Sequence, residues 1–176
     1  MTPPVQDTLP LPGLTTTGAV VSPCGAYRYE LHRRWAPGPV CTWIMLNPST
    51  ADQSTDDPTI RRCRGFARRW GFTAITVHNL FALRSADPRA LRTHPDPIGP
   101  DNDHWLLTPP AGGVTVCAWG THGPLHDRAS TLTASLTRAG IALFCLARTT
   151  TGQPHHPLYL PAHLTPRPYR PNGDTR

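Results

Sequence analysis

At 176 residues, 38% of them hydrophobic, the chain is long enough to close one core and too short for two ordinary domains. Twenty-two prolines and fourteen glycines imply many loops, but the apolar content excludes global disorder, and no run of eighteen apolar residues is present to span a membrane. The net charge is +6 and all seventeen basic residues are Arg. Guanidinium forks suit an anionic partner, whereas the absence of Lys beside abundant Pro, Ala and Thr is equally the imprint of GC-rich coding.

The N-terminus, Met1-Thr2-Pro3-Pro4, lacks the basic and apolar regions of a secretion signal, so a cytoplasmic location is expected. Residues 1–18 alternate Pro, Thr and Leu without a period and read as a flexible arm; residues 19–161 read as one α/β domain, and residues 162–176 as a Pro/Arg-rich tail. Within the domain, two apolar stretches flank Ser22-Pro23-Cys24-Gly25, a turn sequence that predicts an N-terminal β-hairpin at a sheet edge. Short apolar runs follow at residues 42–46, 74–80, 114–119 and 141–147, each separated by helical material. They read as four buried parallel strands with helices on both faces of the sheet.

The first connecting helix is the best marked. Asp57 caps it, Pro58 takes the first helical position and Gly71 stops it after Trp70. Further helices are expected near residues 88–92, 100–107 and 124–139. The five cysteines, at 24, 41, 63, 117 and 145, are odd in number and include no C-x-x-C pair, which points to buried free thiols rather than disulfides or a metal cage.

Ligands of parallel α/β sheets bind beyond the carboxyl ends of the strands, which directs attention to the segments that follow each run. Asn47-Pro48-Ser49 leaves the first strand through a carboxamide able to orient water or a base edge, or simply to satisfy a turn. Asp52 has no structural role visible in the sequence and is the preferred acid, whereas Asp57 reads as a helix cap. Asn79 and Arg84 follow the second strand, where an Asn can pair with a heterocyclic base or, equally, serve as a cap or turn residue. Trp119-Gly120 closes the third strand, and His155-His156-Pro157-Leu158 lies beyond the fourth, offering imidazoles for hydrogen bonding or acid/base work rather than metal binding. On the first helix Arg61, Arg64 and Arg68 lie opposite the apolar stripe. They suit phosphate-backbone attraction or, slightly better, a solvated face paired with Asp. Glycine fingerprints for nucleoside triphosphates or dinucleotides and the G-x-S-x-G elbow are absent, so no cofactor is expected.

Six blocks in order, LNPSTAD, DPTIRRC, VHNLFALRSADP, DPIGPDND, AWGTHG and HPLYLP, closely resemble the bacterial domain-of-unknown-function family 1643 over roughly residues 26–161. More distantly, the order of pieces is similar to the uracil-DNA glycosylase superfamily. That likeness implies a uracil-DNA-glycosylase-like three-layer sandwich around a four-stranded parallel sheet of order 2-1-3-4. It also implies water positioning at Asn47, base reading at Asn79, a Trp-Gly pair at Trp119, and a last motif with His156 on the substrate and Leu158 entering a duplex. Ser49-Thr50-Ala51-Asp52 departs from the superfamily's motif, and the Ser of its last motif is missing. The combined expectation is a cofactor-independent N-glycosidase-type hydrolase. Asn47, Asp52 and His156 are its catalytic candidates, and Pro48, Ser49, Asn79, Arg84, Trp119, His155 and Leu158 contact a nucleobase in nucleic acid or in a nucleoside-like small molecule. A non-catalytic nucleic-acid-binding module using Arg61, Arg64 and Arg68, or another small-molecule enzyme on the same scaffold, remain the alternatives, and the oligomeric state is left open.

Overall fold

The computed structural model describes residues 15–49 and 54–171. The chain is α/β, and the strands among the described residues form one mixed seven-stranded sheet of order β1-β2-β4-β3-β5-β6-β7. The strands are β1 (Thr16–Val21), β2 (Arg28–Arg34), β3 (Val40–Met45), β4 (Ala74–Asn79), β5 (Val114–Cys117), β6 (Leu143–Cys145) and β7 (Arg167–Pro168). β3 runs parallel to both β4 and β5, and β5 to β6; β1–β2, β2–β4 and β6–β7 are antiparallel.

The expectation of a four-stranded, uracil-DNA-glycosylase-like parallel sheet is therefore corrected. A sheet ending at β4 and β6 would leave two rows of backbone N–H and C=O groups unpaired. Here β2 pairs on β4 through Leu31↔Val77 to Arg34↔Ala74, and β7 pairs on β6 through Phe144↔Pro168 and Cys145↔Arg167. The N-terminal hairpin is thus continuous with the sheet. β1 begins at Thr16, inside the stretch read as an arm, and β7 falls inside the stretch read as a tail. Tyr169 anchors that tail: it is 5% exposed and meets the Trp119 ring edge-on, with centroids 5.7 Å apart. A ring this well buried holds the segment down.

The helix α1 (Pro58–Arg69) starts where Asp57 Oδ1 accepts from Ile60 N at 2.8 Å, and Gly71, at φ 84°, turns the chain out of it. Ile60, Cys63, Phe66 and Ala67 pack on one sheet face with Trp43, Ile75 and Val77. The opposite face is covered by α2 (Ala90–Thr93), α3 (Asn102–Leu106) and α4 (Arg128–Arg138), through Leu91, Leu106, Leu132 and Leu136 against Ile44 and Cys117. α4 begins later than residue 124 because His126 and Asp127 take positive φ, 56° and 53°, which a continuous helix excludes. All five cysteines are free; Cys24 is exposed and the other four are buried. No helix among the described residues is long and apolar enough to cross a membrane.

Candidate functional site

A cavity of about 480 Å³ opens beyond the carboxyl ends of β3, β4 and β5, walled on one side by the start of α1 and on another by the segment after β6. Strand alternation supplies its floor. Met45, Val77 and Asn79 line it, and Val77 and Asn79, two residues apart on β4, project to the α1 face of the sheet. Asn79 is 2% exposed, and its amide nitrogen has no hydrogen-bond partner among the described residues. A buried carboxamide N–H₂ without a partner costs stability unless something else supplies the acceptor.

The backbone beneath Asn79 is held with unusual care. Asn102, fully buried at the start of α3, donates to Asn79 O at 3.0 Å and to Leu80 O at 3.1 Å. Buried Arg128 donates to Leu80 O at 2.8 Å and pairs with Asp103. Two side chains from different helices therefore fix where β4 ends, and with it the direction in which Asn79 points.

Asn47 sits at the exit of β3. Its amide nitrogen donates to Ser85 O at 2.8 Å and Pro48 O at 3.1 Å, and Ser85 N donates to Pro48 O at 3.1 Å. These bonds knit the loops after β3 and β4 together and spend the donors of Asn47, so its carbonyl oxygen is the group it has to offer a ligand. Asp57 is both helix cap and cavity wall, its second oxygen accepting from Ser49 Oγ at 2.7 Å.

Beyond β6, His155 is tied by N–H···O=C to Ala147 at 2.8 Å, and His156 caps a short 3-10 turn, Pro157–Tyr159, by accepting from Leu158 N at Nδ1. Burial lowers the His156 pKa, the Asp57 carboxylate pulling against it and His155 reinforcing it. A neutral ring that accepts at Nδ1 carries its proton on Nε2, which makes it a hydrogen-bond donor. Trp119 is 1% exposed and donates from Nε1 to Gln153 at 2.9 Å. Gly123 is required beside it, since a Cβ there would lie 2.1 Å from the indole.

The structure thus places Asn47, Ser49, Asn79, Trp119, His155 and His156 in one wall. Asp52 lies outside the described residues. Pro48 contributes its carbonyl to the loop bonds, and Arg84 is exposed and donates to Gly25 O at 3.0 Å; neither lines the cavity. Leu158 is not in the wall, and its neighbour Tyr159 is 91% exposed. Arg61, Arg64 and Arg68 lie elsewhere, on the outer face of α1.

Sequence reasoning missed Arg28, Ser85, Thr121, His122 and Thr149, all in the wall, and the second role of Asp57. Arg28 is 4% exposed at the first position of β2. Because β2 runs antiparallel to β4, its beginning lies at the carboxyl end of β4, a placement visible only once the hairpin is seated on that strand. His122 lies in the Gly-Thr-His-Gly turn that follows the Trp119-Gly120 pair after β5, and an imidazole beyond a strand end is the signal that marks it. Among the described residues no group of three or more His, Cys, Asp or Glu side chains is gathered to hold a metal ion.

The model of a family described as a protein of unknown function, DUF1643, matches residues 28–158. The chain belongs to this family. No curated protein and no solved structure matches it. The DUF1643 match starts at Arg28 and ends two residues past His156, so the whole cavity wall falls within the family's span.

Proposed function

We propose that this DUF1643 protein is an N-glycosidase-type hydrolase that works without a cofactor and acts on a nucleobase, preferentially in a nucleoside-like small molecule. The observation that carries the reading is the cavity gathering Asn47, Asn79 and His156, with the Asn79 amide nitrogen buried and lacking an acceptor among the described residues. A planar heterocycle bearing an acceptor beside a donor satisfies such a carboxamide with two hydrogen bonds. The apolar wall of Met45, Ile60, Val77 and Trp119 suits its faces. In the reaction, water held by the Asn47 carbonyl oxygen attacks the anomeric carbon as the carbon–nitrogen bond to the base breaks. The sugar gains the hydroxyl and the leaving base gains the proton, while His156 Nε2–H donates to charge developing on that base.

The likeness in motif order to the uracil-DNA glycosylase superfamily supports this reading at the level of residues, not of sheet architecture. A cavity of about 480 Å³ falls in the range of small-molecule sites, roughly 300–1,000 Å³. The preference for a small molecule over a nucleic acid follows from the outer face of α1, where Arg61, Arg64 and Arg68 are engaged within the protein.

The test is release of free base, followed by chromatography, from a panel of nucleosides and base-containing oligonucleotides, with and without chelator. Turnover that persists in chelator and is lost in Asn47→Ala and Asn79→Ala is the expected result. No base release from any substrate by folded protein at stoichiometric concentration would overturn the proposal.

A further inference from the structure

A second concavity, of about 570 Å³, lies where β7 runs along the end of β6, remote in chemistry from the first. It is lined by Cys145, Leu146, Leu164, Arg148, Arg167 and Arg170 among others, and no acidic residue among the described residues takes part. Three guanidinium groups in one small groove repel each other unless a counter-charge is present. Among the described residues none of the three is in an ion pair, although Arg33, Arg64, Arg89 and Arg128 all pair with Asp.

Two of the three are set by the fold. Arg148 lies over the Tyr169 ring, 5.2 Å from its centroid, and donates from Nη2 to Arg170 O at 2.9 Å. These contacts fix the plane of its guanidinium and hold the backbone from which Arg170 projects. Arg167 is the cross-strand partner of Cys145, so register alone brings it to the groove. A fork-shaped donor already immobilised loses little freedom when it closes on an anion.

We infer that this Arg148–Arg167–Arg170 groove is a phosphate-binding site, distinct from the base-binding cavity and independent of the reading given to that cavity. Tetrahedral oxyanions suit it because several oxygens can take N–H donors from separate guanidiniums at once. The phosphate can belong to a small phosphorylated ligand or to a nucleic-acid backbone, and salt dependence is expected in either case.

The test uses the full chain, with inorganic phosphate and pyrophosphate titrated separately from a short single-stranded oligonucleotide by calorimetry or NMR. Arg167→Gln changes an exposed side chain without a hydrogen bond to the described residues, so it leaves the fold intact; Arg148→Gln removes the immobilised fork, and thermal melts verify both. An affinity at least tenfold weaker in Arg167→Gln and Arg148→Gln, unchanged in Arg61→Gln/Arg68→Gln, supports the site. If the inorganic anions show this pattern the ligand is a small phosphorylated molecule. If only the oligonucleotide does, it is a phosphodiester backbone. Failure of all three ligands to bind at millimolar concentration, or equal binding by wild type and both groove variants, would overturn the proposal.

Discussion

The cavity at the strand ends and the outer face of α1 both look functional in the sequence, yet they differ in what their polar groups are doing. On α1, Arg61 donates to Asp56 O at 2.6 Å, Arg64 to Asp56 Oδ2 at 2.5 Å, and Arg64 and Arg68 both lie over Trp35, at 5.9 and 4.9 Å. Charge there is spent on holding the helix to its surroundings. In the cavity the Asn79 amide nitrogen is buried with no partner among the described residues, while Asn102 and Arg128 from two other helices fix its backbone. Polar groups that are placed with care and left unsatisfied point to a ligand; polar groups already paired point to stability.

The sharpest way to break this contrast is Asn79→Ala. The side chain makes no hydrogen bond to the described residues, so its loss should change stability by less than about 1 kcal/mol. If the residue reads the base, turnover should fall by about a hundredfold or more. Melting curves and base-release rates on the same preparation separate the two outcomes. A large fall in stability with unchanged specific activity would turn Asn79 into an ordinary core amide.

Asp56→Asn probes the other region. Its carboxylate takes hydrogen bonds from Arg33 Nε at 2.7 Å and from Arg64, and leaving the nearly buried Arg33 beside a neutral amide should cost about 3 kcal/mol. Burial pushes the Asp56 pKa up, but Arg64 and Arg33 outweigh it and hold the carboxyl below its ordinary value. A carboxyl with a depressed folded-state pKa contributes stability above its unfolded value, about 3.9, and loses it as pH falls through the folded value. Acid denaturation followed by circular dichroism should show that step in the wild type and not in Asp56→Asn.

A smaller effect of the same kind belongs to His78, the neighbour of Asn79, which is 2% exposed and bonds from Nδ1 to Tyr29 O at 3.0 Å. Burial lowers its pKa, and Glu30, 3.9 Å from Nε2, offsets only part of this. The unfolded chain then binds the proton more readily than the folded one. Stability must fall as pH drops below the free imidazole value of about 6.5, and level off below the folded value. His78→Gln should flatten this slope, leaving the part that His156 contributes by the same sign. An unchanged slope between pH 7 and 5 would place the acid sensitivity elsewhere.

Much of this was readable from residue order. The apolar runs become β3, β4, β5 and β6, and Asp57-Pro58 and Gly71 bound α1 because capping chemistry is local. What could not be read was pairing across the chain. Nothing in Arg28–Arg34 says that it lies antiparallel on β4, and Arg167–Pro168 is too short and too polar to announce a strand. The mixed seven-stranded sheet and the place of Arg28 in the cavity wall both follow from such contacts. The loops after β3, β4 and β6 were found because position at a strand end depends only on locating the strand. Asn102 was missed as the clamp on Asn79, since its role needs α3 docked across β4.

The weakest expected effect tests the comparison from its bland side. In Arg61→Gln/Arg68→Gln the helix keeps its Asp57 cap, its buried stripe and the Arg64–Asp56 pair, and loses a bond to one backbone carbonyl and one cation–π contact. Partly exposed interactions of this kind are worth about 0.2–1 kcal/mol each, so the melting temperature should drop only slightly. Oligonucleotide affinity should change little, and its dependence on salt should keep the same slope, because side chains already engaged within the protein neutralise few phosphates. A fluorescence-anisotropy titration at two salt concentrations measures both quantities. A clear loss of affinity with a flattened slope would mean that these arginines leave their internal partners for phosphate, and would make the face of α1, rather than the cavity, the region that meets the ligand.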